Sequence, residues 1–249
     1  ICEISKLEYI SRKISIKRFR KLLNICKNFR VKQVDIKIEK TARYFILGTP
    51  NDKITDVWFV CHGYGQLAKY FIKWFEPILN ENILIIAPEG LSRFYWNGFS
   101  GNVVASWMTK EERDSDIDDY VQYLDKVANE VLQKVMKVNI NILGFSQGAS
   151  TASRWAALGK TAPSNLILWA GSFPSDIDYL KNIETFNKFP LHFLIGDSDE
   201  LFSEEVISEY LGEIKKKEIP FNLYRYEGGH KVLPQPLLKL QKHISRKQY

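Results

Sequence analysis

An α/β fold, with a mostly parallel twisted sheet carrying helices on both faces, is predicted by three features of the sequence. Short continuous apolar runs recur from about residue 57 onward, as expected of strands buried on both faces. Segments with helical periodicity separate these runs, so the chain reads as successive strand–helix–strand units. The 249 residues, 45% of them hydrophobic, suffice for one such domain and its core.

The elements follow in order. Residues 1–30 read as a basic N-terminal extension, with the domain expected over 31–249. "VKQVDIKIEK" alternates apolar and polar residues and "ARYFILGTP" follows, which predicts an antiparallel hairpin at the sheet edge. "DVWFVCHGYGQ" is a buried strand running into a glycine-rich turn, "AKYFIKWFEPIL" is helical, and "NILIIAPEG" is a second buried strand. Residues 91–113 read as a loop rich in glycine and aromatics. In "DSDIDDYVQYLDKVANEVLQKV", Ile117, Tyr120, Val121, Leu124, Ala128, Val131, Leu132 and Val135 fall on one helical stripe. Asp114, Asp116, Asp118 and Asp119 crowd its start, where the helix dipole favours negative charge, so they read as helix-start acids and not as metal ligands. "NINILGF", "NLILWAG" and "LHFLIGD" are further buried strands, "FNLYRYEGGH" alternates, and "PQPLLKLQKHIS" closes the chain as a helix.

Charge and cysteine content narrow the function. The net charge of +6 resides in residues 1–30, where nine Lys and Arg face Glu3 and Glu8, and the remainder sums to about −1. The domain therefore lacks a nucleic-acid footprint. Phe19, Leu22, Leu23 and Cys26 would share one face of a helical arm, but a solvated or docked extension is preferred to membrane-surface contact. Three cysteines without framework spacing argue against a disulfide-built secreted fold. No apolar run approaches the ~20 residues of a membrane span, and no secretory leader is expected. The first residue is Ile1 and not Met, so the true start is expected to be missing. A cytoplasmic setting follows as the default. GxxxxGK, GxGxxG and HExxH do not occur, and Cys61 beside His62 has no second pair at zinc spacing, so neither metal nor organic cofactor is expected.

The chemistry concentrates at "NILGFSQGAS". Gly144 and Gly148 flank Ser146 at two residues' distance, where a sharp strand-to-helix turn leaves no room for side chains. Such a turn lifts a serine hydroxyl clear of the sheet and aims a helix N-terminus at it. A serine needs a base. Of His62, His192, His230 and His243, His230 is favoured because it ends a strand and glycine loop, "YRYEGGH". The base needs an acid, and "LIGDSDE" offers Asp197 and Asp199. Asp199 lies further into the loop and is preferred; Asp197 reads as a tie for that loop. Oxyanion donors are expected from the backbone N–H groups of Tyr64, in "HGYGQ", and of Gln147. An ordinary glycine turn is the alternative reading of "HGYGQ", and Cys61 reads as packing beneath it. The aromatic loop with Phe94, Tyr95, Trp96, Phe99, Trp107 and Met108 reads equally as an acyl pocket, with Trp96, Trp107 and Met108 touching substrate, or as cover for the core.

In the order "HGYG", "GFSQG", "GDSD", "GGH", the chain resembles the α/β-hydrolase fold, and within it the phospholipase/carboxylesterase group that includes acyl-protein thioesterases. The resemblance covers residues 31–245, and "ASWMTKEERDSDIDDYVQYLD" is similar to a bacterial subgroup. It implies a cofactor-free serine hydrolase of small-molecule carboxylic esters or thioesters. Two other classes stay open: a small amidase or peptidase of the same fold, and a non-catalytic binding protein. The short chain leaves little room for an inserted lid, which favours modest acyl esters over bulk lipid. Oligomeric state is not legible.

Overall fold

The computed structural model describes residues 31–246. Residues 31–41, in the unit Ile1–Thr41, have no regular secondary structure and expose their side chains. The predicted strand over 31–40 is therefore absent, and the hairpin it was to form with "ARYFILGTP" is corrected. Val34, Ile36 and Ile38 alternate with polar residues, yet each is more than 70% exposed. Alternation tells which face a strand would bury, and it provides no neighbouring strand to pair with. The basic arm, residues 1–30, lies outside the described residues.

The unit Ala42–Tyr249 holds every regular element among the described residues. Its strands are β1 (Tyr44–Leu47), β2 (Asp56–Cys61), β3 (Ile83–Pro88), β4 (Ser92–Asn97), β5 (Ser100–Ser106), β6 (Asn139–Phe145), β7 (Asn165–Trp169), β8 (Leu191–Gly196) and β9 (Phe221–Tyr226). Its helices are α1 (Ala68–Phe71), which tightens into a 3₁₀ turn over Ile72–Ile78, then α2 (Arg113–Leu132), α3 (Gln147–Leu158), α4 (Tyr179–Phe186), α5 (Glu204–Lys216) and α6 (Pro234–Arg246). Seven strands form one sheet in the order β1-β3-β2-β6-β7-β8-β9, parallel except for β1, which pairs antiparallel with β3. The antiparallel edge is thus real, but its partner is β3.

One face of the sheet packs Phe59, Ile142, Leu168 and Phe193 against Tyr120 and Leu124 of α2 and Trp155 of α3. The other packs Trp58, Leu143 and Trp169 against Phe71 and Phe75 and against Leu237 and Leu240 of α6. Strands covered on both sides must be apolar at every position, which is why β2 and β3 read as unbroken runs. In α2, six of the stripe residues are buried and Leu132 is partly so, while Val135, also partly buried, lies past the end of the helix.

The predicted loop over 91–113 is also corrected. β4 and β5 pair as an antiparallel ribbon, turning through Asn97-Gly98, with Gly98 at φ 69°. Asn-Gly between strand-like segments is a strong hairpin signal, and the aromatic content obscured it.

A chain of polar groups crosses the buried sheet at the opposite end from the nucleophile turn. Asp56 on β2 accepts from Asn141 Nδ2 on β6 at 3.3 Å, and Asn141 Oδ1 accepts from Asn165 Nδ2 on β7 at 2.8 Å. Asn165 Oδ1 lies 3.2 Å from His192 Nε2 on β8, whose Nδ1 lies 3.3 Å from the Tyr224 hydroxyl on β9. Asn165→Leu removes the middle link and strands buried groups on both sides. The expected loss is about 1–3 kcal/mol of unfolding free energy. Urea titration reads it, and unchanged stability would show that these groups find other partners.

Candidate active site

The nucleophile turn is built by steric necessity. Ser146 ends β6 and begins α3 with φ 54° and ψ −119°, a conformation seldom taken by a side-chain-bearing residue. A Cβ on Gly144 would lie 2.0 Å from Gly148 O, and one on Gly148 would lie 2.2 Å from Cys61 O. Both positions therefore require glycine for strand, helix and neighbouring strand to approach so closely. Ser146 N donates to Trp169 O at 2.9 Å, which pins the turn to β7.

His230 and Asp199 meet. His230 Nδ1 lies 2.9 Å from Asp199 Oδ2 and 3.1 Å from Oδ1, and the Asp199 side chain is fully buried. A carboxylate can only accept, so Nδ1 carries the proton and Nε2 is left as the acceptor. Asp197 faces away and pairs with Arg225 Nε at 2.8 Å. The imidazole is placed between two rings: Phe145, directly before Ser146, at 4.9 Å between centroids, and Phe202, nearly parallel, at 6.5 Å. Among the described residues no hydrogen bond joins Ser146 to His230; such bonds often close only around bound substrate. Tyr226 secures the histidine loop: its hydroxyl accepts from Trp169 Nε1 at 2.8 Å and donates to Lys231 O at 2.9 Å.

The "HGYGQ" loop passes directly over the turn, since a Cβ on Gly63 would lie 3.2 Å from Ser146 Cβ. Neither the Tyr64 nor the Gln147 N–H takes part in a backbone hydrogen bond among the described residues. The ribbon holds this loop: Gly65 N donates to Ala105 O at 3.0 Å and Ala105 N to Gln66 O at 3.2 Å. Gln66 Oε1 in turn accepts from Gly63 N at 2.8 Å. On the other side, Gln147 Oε1 accepts from Trp107 N at 3.2 Å and Gln147 Nε2 donates to Met108 O at 3.1 Å. The two glutamines thus brace the loop and the turn against the base of one ribbon. Sequence reasoning missed both side-chain roles: the Gln147 partners lie about 40 residues away, and the Gln66 side chain closes back on Gly63 within its own loop.

His62 is a structural histidine. It is fully buried, donates from Nδ1 to Gly63 O at 2.8 Å and accepts at Nε2 from Gly90 N at 2.9 Å. Burial lowers its pKa from 6.5 to about 4, so it folds neutral. Unfolded, the same group takes up a proton near pH 6.5. Stability held above that pH is therefore lost as pH falls from 6.5 towards 4, by roughly 2–3 kcal/mol between pH 7 and 4.5. Denaturant curves of wild type and His62→Gln at the two pH values test this. The variant is expected to lack that share of the acid sensitivity, and equal sensitivity would mean that His62 does not contribute it. Burial likewise pushes the Cys61 thiol up, out of the reactive range.

The pocket expectation divides. Trp107 is 1% exposed, stacks on His62 at 4.9 Å and donates from Nε1 to His62 O at 2.8 Å. It is core, and its expected contact with substrate is corrected. Met108 is half-buried against the core, and its Sδ accepts from Arg154 Nη1 at 3.4 Å. Trp96 is 56% exposed and covers Gly65, where a Cβ would meet its ring at 2.5 Å.

No three His, Cys, Asp or Glu side chains gather as a metal site among the described residues, and no described helix is long and apolar enough to cross a membrane.

The sequence model of one family, described as serine hydrolase (FSH1), matches residues 59–242. Among solved structures, Zea mays acyl-protein thioesterase 2 is similar at TM-score 0.64 and 17% identity, covering 83% of this chain and 99% of that one. Arabidopsis thaliana SOBER1 is similar at TM-score 0.63 and 18% identity, over 78% and 99%. The Bacillus cereus carboxylesterase is similar at TM-score 0.59 and 12% identity, over 82% and 94%. No curated protein matches the chain in sequence.

Proposed function

The chain belongs to the serine hydrolase (FSH1) family and has the α/β-hydrolase fold, and on that premise we propose that it cleaves small carboxylic esters or thioesters through an acyl-enzyme on Ser146. The observation that carries the reading is His230, held by Asp199 at 2.9 Å and laid against the ring of the residue before Ser146. Ser146 Oγ attacks the substrate carbonyl while His230 Nε2 takes its proton. The Tyr64 and Gln147 N–H groups receive the negative charge on the carbonyl oxygen, and the α3 dipole supports it. As the intermediate collapses, the bond to the leaving oxygen or sulfur breaks and His230 returns the proton to that atom. Water then loses a proton to His230, attacks the acyl-serine, and releases the acid with the serine restored. Asp199 fixes the tautomer and favours the imidazolium throughout.

The activities named for the structural relatives, thioesterase and carboxylesterase, lie within this reading. We place the enzyme in a reducing, cytoplasmic setting, in keeping with Cys61 as a buried free thiol. A panel of p-nitrophenyl acetate, an acetyl thioester and an acyl p-nitroanilide tests it. Ester and thioester are expected to turn over and the amide to lag by orders of magnitude. Preferential amide cleavage would make the protein a peptidase-type hydrolase instead.

A further inference from the structure

A cleft of about 500 Å³ opens beside the candidate active site, walled by Gly65, Tyr70, Phe71, Trp74, Val103 and Val104. It begins at the residue following Tyr64 and runs between α1 with its 3₁₀ turn and the inner part of β5. Trp96 lies on Gly65 at its mouth. A second hollow of similar volume, between Leu211 and Phe221, shares no residue with the site.

The order of the rings gives the cleft its direction. Phe202 stacks on His230, the His230 ring lies tilted against Phe145, and Phe145 contacts Trp74 and Phe71 at 5.9 and 6.1 Å. The cleft's inner wall therefore lies across Phe145 from His230, on the opposite flank from Phe202 and Asp199. The leaving atom must meet His230 Nε2 to be protonated, so the acyl substituent of a carbonyl on Ser146 points to the other flank. On that flank Tyr70, Phe71, Trp74, Val103 and Val104 form apolar walls that suit a hydrocarbon chain, and Gln66, Lys69 and Asn102 line the cleft beside them.

Resting on the ester-hydrolase reading, we propose that this cleft is the acyl subsite and that it selects unbranched apolar acyl chains of about six to ten carbons. At about 30 Å³ per non-hydrogen atom, 500 Å³ holds at most about seventeen such atoms, and a cleft open to solvent fills to roughly half of that. Each methylene buried along it raises kcat/KM by roughly three- to fourfold.

The test is kcat/KM for p-nitrophenyl acetate, butyrate, octanoate and palmitate, with wild type, Val103→Trp and Tyr70→Ala. Val103 and Tyr70 are both partly exposed, at 39% and 59%, so neither change disturbs the core. Wild type is expected to prefer octanoate over acetate by about 1,000-fold, with palmitate below octanoate. Val103→Trp fills the cleft and Tyr70→Ala removes a wall, and each is expected to lower the octanoate-to-acetate ratio at least tenfold. Ratios that stay at the wild-type value in both folded variants would overturn the assignment while leaving the ester reading in place. So would a penalty that tracks chain length in the alcohol of acetate esters, which would make the cleft a leaving-group site. A wild-type protein inactive on every ester, and unreactive to a fluorophosphonate, would overturn the ester reading itself and the subsite with it.

Discussion

Ser146→Ala is expected to lower kcat for p-nitrophenyl ester hydrolysis by roughly 10⁶-fold. What remains is a small rate above water, from bound substrate and oxyanion donors that the substitution leaves in place. The removed atom is a single hydroxyl on a turn whose geometry is set by Gly144, Gly148 and the Ser146 N–H bond to Trp169 O. Alanine keeps that turn, so KM and the melting temperature are expected to stay close to wild type. The loss then lies in the chemical step. Stopped-assay kinetics with thermal melts on the same preparations check both halves. Activity within tenfold of wild type would remove Ser146 from the mechanism.

The second large effect separates two neighbouring carboxylates. Asp199→Asn is expected to cost about 10⁴-fold in kcat, because an amide at this position can donate to Nδ1 and so favour the wrong histidine tautomer. Asp197→Asn breaks a partly exposed pair with Arg225, whose contribution is at most about 1 kcal/mol of stability, and is expected to stay within a few-fold of wild type. The two positions differ by two residues in sequence and by nearly the full catalytic effect. An inactive Asp197→Asn beside an active Asp199→Asn would invert the assignment.

Much of this molecule is legible in its sequence, for definite physical reasons. Parallel strands buried on both faces have no polar positions to spare, so "DVWFVC" and "LHFLIG" declare themselves. The α2 stripe is legible because one period repeats over twenty residues. The spacing of Gly144, Ser146 and Gly148 is legible because only backbone fits where β6, α3 and β2 converge. Pairing is less legible than periodicity. Residues 31–40 have a strand's alternation without forming one, while residues 92–106 form a ribbon that their composition disguised. Burial of aromatics is less legible again: Trp96 and Trp107 share one short stretch, yet one is largely exposed and the other is core. The brace from Gln147 depends on partners brought near by the fold, and no local pattern announces it.

Covalent labelling reads the relay most directly. A fluorophosphonate reacts with a serine only where a base withdraws its proton and donors hold the oxyanion, so it reports the assembled site in one step. Mass spectrometry after tryptic digestion is expected to find one adduct, on Ser146 within residues 138–154, absent from Ser146→Ala and strongly reduced in His230→Ala. An adduct on another serine, or a folded wild-type protein that takes none, would contradict the account.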